Sequence, residues 1–132
     1  MATLLIVEDN PANLKLARVV LQQAGHAVLE AMDAEAGLAI AREKRPDLIL
    51  MDIQLPGMDG LSATVELKRD PATAAIPVLA LTAHAMMGDE EKIRAAGCDG
   101  YLAKPFRYAE LLERVAAMLS PSPRPTDAKE EK

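Results

Sequence analysis

Five times along the chain a short apolar run is followed by a longer segment whose apolar residues recur at helical spacing. The runs at residues 4–7, 28–31, 48–51, 77–81 and 101–103 read as strands. Several are apolar without interruption, the pattern of strands covered on both faces. The first helical segment has Asn10 as cap, Pro11 at its first position and Gly25 beyond its end, with Leu14, Ala17, Leu21 and Ala24 on one stripe. Asp33 caps a second helix over residues 34–42, with Glu35 in its first turn. A third starts near Asp59-Gly60 and stops before Pro71; a fourth spans 89–96 and stops at Gly97. The fifth carries Leu111, Leu112, Val115 and Leu119. Such an alternation implies right-handed crossovers and a single five-stranded, doubly wound parallel sheet.

Two of the apolar runs end on acids, Ile6-Val7 on Glu8-Asp9 and Leu50-Met51 on Asp52. Packing does not explain this. The carboxyl ends of parallel strands are where open α/β sheets place their ligands. Three carboxylates gathered there repel unless a cation joins them, and Mg²⁺ suits an all-oxygen site.

Composition narrows the field. The 132 residues make one domain, residues 1–119, followed by a proline-rich charged stretch at 120–132 that reads as a flexible tail. Fifteen basic against twenty acidic residues, a net charge of -5, argue against nucleic-acid and membrane-surface binding. The lone Cys98 excludes an intramolecular disulfide and reads as a small core residue. Glu8 and Asp9 interrupt the first apolar run, so no signal peptide is expected there and the cytoplasm is the expected compartment. The start at Met1 and the tail favour a stand-alone protein over a fragment of a larger regulator or hybrid kinase. His26, after Gly25, reads as a surface residue, and Met86-Met87 as packing for the fourth helix.

Glu8-Asp9-Asn10, the stretch from Met51 to Gly60, Leu81-Thr82-Ala83 and Lys104-Pro105 occur in this order on the five βα units. Together they resemble the receiver domains of bacterial two-component response regulators over roughly residues 3–119. Ala83 to Glu90 and Gly97 to Tyr101 make the chain especially similar to stand-alone receivers of the cell-cycle type. The resemblance implies a flavodoxin-like (βα)5 fold and a phosphorylation switch. It makes Asp52 the phosphoacceptor and Lys104 and Thr82 partners of the phosphoryl oxygens. Asp9 and Asp52 become direct Mg²⁺ ligands, with the Gln54 carbonyl as a further ligand, Glu8 acting through water, and Mn²⁺ as a substitute ion. Thr82 and Tyr101 become the switch pair, and a cis Lys104-Pro105 bond places the lysine. Gln54 and His84 flank the path of the hydrolysing water.

The implied donor is a histidine kinase or histidine phosphotransfer protein. The implied output is a protein target on the face of the fourth helix, fifth strand and fifth helix, with the chain a monomer or weak dimer that catalyses only its own phosphorylation and dephosphorylation. An alternative is a Mg²⁺-dependent phosphatase with an aspartyl nucleophile, but position 54 is Gln where such enzymes often place a second acid. A phosphorylation-independent docking module leaves the acidic site without a purpose. A flavodoxin-like electron carrier usually needs aromatics around its flavin, and this chain has only Tyr101, Phe106 and Tyr108. Neither a G-x-x-x-x-G-K-[ST] nor a G-x-G-x-x-G motif supports nucleotide binding.

Overall fold

The computed structural model describes residues 2–55, 57–83 and 89–119. His84, Met86, Met87, Pro56 and the tail at 120–132 therefore lie outside the described residues. Five strands, β1 (Thr3–Val7), β2 (Ala27–Ala31), β3 (Leu48–Asp52), β4 (Val78–Thr82) and β5 (Gly100–Ala103), alternate with five helices. These are α1 (Pro11–Gln23), α2 (Ala34–Lys44), α3 (Gly60–Arg69), α4 (Asp89–Ala95) and α5 (Tyr108–Leu119). The strands pair in parallel in the order β2-β1-β3-β4-β5. The chain winds one way from β1 to β2 and the other way from β3 onward. The crevice between the carboxyl ends of β1 and β3 is thus the topological switch point.

Side-chain alternation divides the core into two layers. Leu5, Val7, Ile49, Met51 and Val78 face Leu38 and Ala41 of α2 and Ala63 and Leu67 of α3. Leu4, Ile6, Leu48, Leu50, Leu79 and Leu81 face Leu14, Ala17 and Leu21 of α1 and Leu111 and Val115 of α5. Every residue of β3 is buried, which explains its unbroken apolar run. Asp52 continues the parity of Leu48 and Leu50, so its carboxylate belongs to the α1 and α5 side of the sheet.

The helix ends follow the expected chemistry. Asn10 accepts from the backbone N–H groups of Ala12 and Asn13, Asp33 from Ala36, and Asp59 from Ser62. The expected elements all form, with small differences in extent. Pro77 lies outside β4, because it has no N–H to offer, although its carbonyl accepts from Ile49. At its other end the strand runs one residue further than expected, where Thr82 pairs with Ala103 of β5. Ala24 is the exposed C-cap of α1 rather than part of its buried stripe. His26 is half-buried, its Nδ1 accepting from the Ala2 backbone N–H at 3.3 Å, which corrects its reading as a surface residue. Cys98 is only partly buried, packed against the α2 and α3 layer with its thiol 3.8 Å from the Thr64 hydroxyl. Burial holds that thiol above its ordinary pKa.

Among the described glycines, Gly60 leaves the least room for a side chain. A Cβ there would overlap the Asp52 carbonyl oxygen and come within 2.8 Å of Ile53 Cα. The Gly60 N–H donates to the Ile53 carbonyl at 3.0 Å, so the start of α3 is pressed onto the end of β3. Gly60→Ala should therefore destabilise the protein by about 1–3 kcal/mol, the range for overpacking a tight site. Urea unfolding measures this, and an unchanged midpoint would remove the steric argument.

Candidate phosphoacceptor and metal site

Glu8 follows β1, Asp52 ends β3, Thr82 ends β4 and Lys104 follows β5, so four adjacent strands deliver one functional side chain each. Glu8, Asp52 and Thr82 are buried, whereas Asp9 is exposed at the rim. Carboxylate oxygens of Glu8, Asp9 and Asp52 all lie within 4.8 Å of one another. Lys104 Nζ stands 3.2 Å from Asp52 Oδ2 and 3.4 Å from Glu8 Oε1. The lysine thus bridges two of the three acids across 52 and 96 residues of chain.

Backbone donors hold the carboxylates in place. The Gln54 N–H donates to Asp52 Oδ1 at 3.0 Å, and the Asn10 N–H to Glu8 Oε2 at 3.1 Å. Asp52 is therefore held from both ends, by an amide at one oxygen and an ammonium at the other. Burial, then hydrogen bonding to Asp52, raises the Glu8 carboxyl above its ordinary pKa. The Asn10 amide and the Lys104 charge act in the opposite direction. Two acids that hydrogen-bond to each other in a buried setting favour a shared proton, or a cation in its place.

The donor set fits such a cation. It is all oxygen and clustered, with one acid at the solvent rim, as a hard divalent ion such as Mg²⁺ requires. Lys104 precedes a cis peptide bond, the one to Pro105, as expected. Tyr101 is half-buried on β5, and its backbone carbonyl accepts from Arg114 Nη1 of α5. Gln54 is exposed beside Asp52.

The contact between Glu8 and Lys104 went beyond the sequence reading, which gave Glu8 only a water-mediated role. Strand alternation contains the signal for its orientation. Glu8 shares parity with Leu4 and Ile6, and hence the face of Asp52. Gly60 ends the Met51–Gly60 motif, but its steric role depends on an approach that only the folded chain reveals.

The family model for the response regulator receiver domain matches residues 4–116. The polar-differentiation response regulator DivK of Brucella anthropi is 45% identical over 117 residues, covering 89% of this chain and 95% of that protein. Among solved structures, one similar to this chain is the receiver domain of the sensor histidine kinase PA1611 from Pseudomonas aeruginosa, which has a magnesium ion coordinated in its active-site cleft. It superposes with a TM-score of 0.83 at 39% identity, covering 89% of this chain and 97% of that one. The chemotaxis protein CheY4 of Vibrio cholerae superposes with a TM-score of 0.85 at 30% identity, covering 89% and 98%.

Proposed function

We propose that this chain, which belongs to the response regulator receiver domain family, takes its phosphoryl group on Asp52 from a phosphohistidine of a kinase or phosphotransfer protein. Phosphorylation-dependent signalling in two-component systems is the family's function. The observation that carries the residue assignment is Lys104 lying between Asp52 and Glu8 beside a compact acid trio. In the transfer, an Asp52 carboxylate oxygen attacks phosphorus, the phosphorus–nitrogen bond to the donor imidazole breaks, and its electron pair returns to the ring nitrogen. Lys104 and the Thr82 hydroxyl then meet the new phosphoryl oxygens. Asp9, Asp52 and the Gln54 carbonyl would hold Mg²⁺, with Glu8 acting through water and Mn²⁺ as a substitute. When bound, the ion neutralises charge that builds up on the transferring group.

A cytoplasmic switch, monomeric or weakly dimeric, with a receiver over 1–119 and no chemistry beyond its own phosphorylation cycle, fits this site. No helix among the described residues is long and apolar enough to cross a membrane. Incubation with a small phosphodonor, followed by peptide mass spectrometry, tests the proposal. One phosphoryl group per chain on the β3 peptide is expected, and label on any other peptide would overturn it.

Output runs through Thr82 and Tyr101 to the α4-β5-α5 face. A cavity of about 360 Å³ between those elements, bordered by Ile93, Tyr101 and Arg114, supports the reading because it leaves room beside the ring. The phosphoryl group must favour the active arrangement by about 5.5 kcal/mol to move a 1:99 population to 99:1. Adding a phosphoryl mimic should shift amide resonances of β5 and α5; shifts that spare them would exclude this route.

Gln54 sets the lifetime of the signal, together with His84, which lies outside the described residues. Gln54→Ala should change the decay of the aspartyl phosphate by about threefold, roughly 0.65 kcal/mol in barrier. The exposed side chain makes little difference to stability, typically less than about 0.5 kcal/mol. Unchanged decay in both Gln54→Ala and His84→Ala would deny the two positions a kinetic role.

A further inference from the structure

Beneath the acid cluster, on the α1 and α5 side of the sheet, lies a cavity of about 510 Å³. That is the size of a small-molecule site. Leu50 and Leu81 of the central strands and Ala17 and Leu111 of the two helices form its apolar wall. Ala17 presents only a methyl group, which helps leave the space open. Half-buried Phe106 and Tyr108, whose rings meet edge to face with centroids 6.0 Å apart, stand at its border with the exposed Asn13.

The wall calls for an apolar body, and the polar groups of the lining select the head group. The two charged residues there, Glu8 and Lys104, are already committed. Glu8 Oε2 accepts from the Asn10 N–H at 3.1 Å and Oε1 from Lys104 Nζ at 3.4 Å, and the same ammonium lies 3.2 Å from Asp52. A charged head group entering here would give up water without gaining a free partner of opposite sign, a cost that an uncharged one avoids. Asn13 differs. Among the described residues its backbone N–H is held by Asn10, while no hydrogen bond engages its side-chain amide. That amide both donates and accepts, as a hydroxyl does. We propose that this cavity binds an uncharged amphiphile, a hydrocarbon chain ending in one hydroxyl, with the chain against the leucine wall and the hydroxyl at the Asn13 amide.

Pro105 and Phe106 also line the cavity and directly follow Lys104, so a bound ligand would brace the segment that carries the lysine. Binding of this kind needs neither a particular protonation state of the acids nor Asp52 as the phosphoacceptor. It is read without a phosphodonor, and its failure would leave that assignment untouched.

The test titrates the full chain with n-butanol through n-octanol, and with alkylammonium ions and carboxylates of the same chain lengths. Methyl and amide NMR shifts read both affinity and location. Affinity for the alkanols should rise about fourfold for each buried methylene until the cavity is full. Shifts should concentrate on Ala17, Leu111 and Phe106, and both charged series should bind at least about tenfold more weakly, a difference of ~1.4 kcal/mol. Asn13→Ala, at an exposed position, should lower alkanol affinity about fivefold, the worth of one neutral hydrogen bond, and keep the chain-length dependence. Ala17→Leu, which fills the cavity, should abolish that dependence. Should that variant not fold, Asn13→Ala and the two charged series still decide. Either charged series binding as tightly as the alkanols, affinity independent of chain length, an Asn13→Ala variant that binds like wild type, or shifts located elsewhere would each overturn the proposal.

Discussion

Asp52→Asn is expected to abolish phosphorylation by a phosphohistidine donor and by small phosphodonors, while the fold is retained. An amide has no anionic oxygen to attack phosphorus, so labelling should fall to background. A hundredfold loss corresponds to about 2.7 kcal/mol of barrier, and the expected loss is larger. The replacement is nearly isosteric, and the Asn oxygen can still accept from the Gln54 N–H that now holds Asp52 Oδ1 at 3.0 Å. What changes is the other oxygen. Lys104 Nζ, 3.2 Å from Asp52 Oδ2, would face an NH₂ group and keep Glu8 as its remaining carboxylate partner. Unfolding curves of variant and wild type should therefore show similar cooperativity. Intact-mass measurement after incubation with the donor decides the matter. Stoichiometric label in the variant, on Glu8 or Asp9, would sink the assignment.

The legible part of this site followed from strand pattern. An apolar run that stops on an acid marks both a buried strand and the end of the sheet where ligands collect, so Glu8, Asp9 and Asp52 could be named from local sequence. Their convergence depended on strand order, which βα alternation and crossover handedness constrain but do not fix alone; the motif resemblance supplied the rest. Lys104 was legible as a motif residue. Its distance from Glu8 was not, since 96 residues separate them and no local rule reports such a pairing.

Other features were hidden for the same reason. His26 looked exposed because it follows a turn glycine, yet its partner is a backbone amide 24 residues earlier. The extent of β4 turned on a proline whose missing N–H excludes it from the strand while its carbonyl still serves Ile49. Propensity marks the proline but not which of its two backbone groups the neighbouring strand uses. The cavity under the acid cluster is less legible still. It depends on the volumes of side chains from β1, β3, β4, α1 and α5 together, and each of those residues alone reads as ordinary core.

Mg²⁺ is expected to bind the unphosphorylated protein, and Asp9→Ala to weaken that binding at least about tenfold, or ~1.4 kcal/mol. Asp9 is the exposed member of the trio, so its loss removes a ligand without opening the core. The same substitution relieves repulsion among clustered acids, and the metal-free variant should be more stable than metal-free wild type. Opposite effects on affinity and stability distinguish a ligand from a structural residue, whose loss would lower both. Glu8 gives the pH dependence of the metal-free state. Its carboxyl pKa is raised in the folded protein, first by burial and then by Asp52, so the folded state holds that proton more tightly than the unfolded chain does. The resulting stabilisation is complete below the ordinary glutamate pKa and is lost as pH rises through the raised value. Metal-free protein should therefore lose a Glu8-dependent part of its stability on going from acid toward neutral pH, and Glu8→Gln should remove that slope. Mg²⁺, which needs the ionised carboxylates, should stabilise increasingly over the same interval. Calorimetric titration and thermal unfolding across pH, with and without Mg²⁺, measure each of these quantities. Equal Mg²⁺ affinity in wild type and Asp9→Ala would refute the ligand role, and an identical pH slope in Glu8→Gln would refute the origin assigned to it.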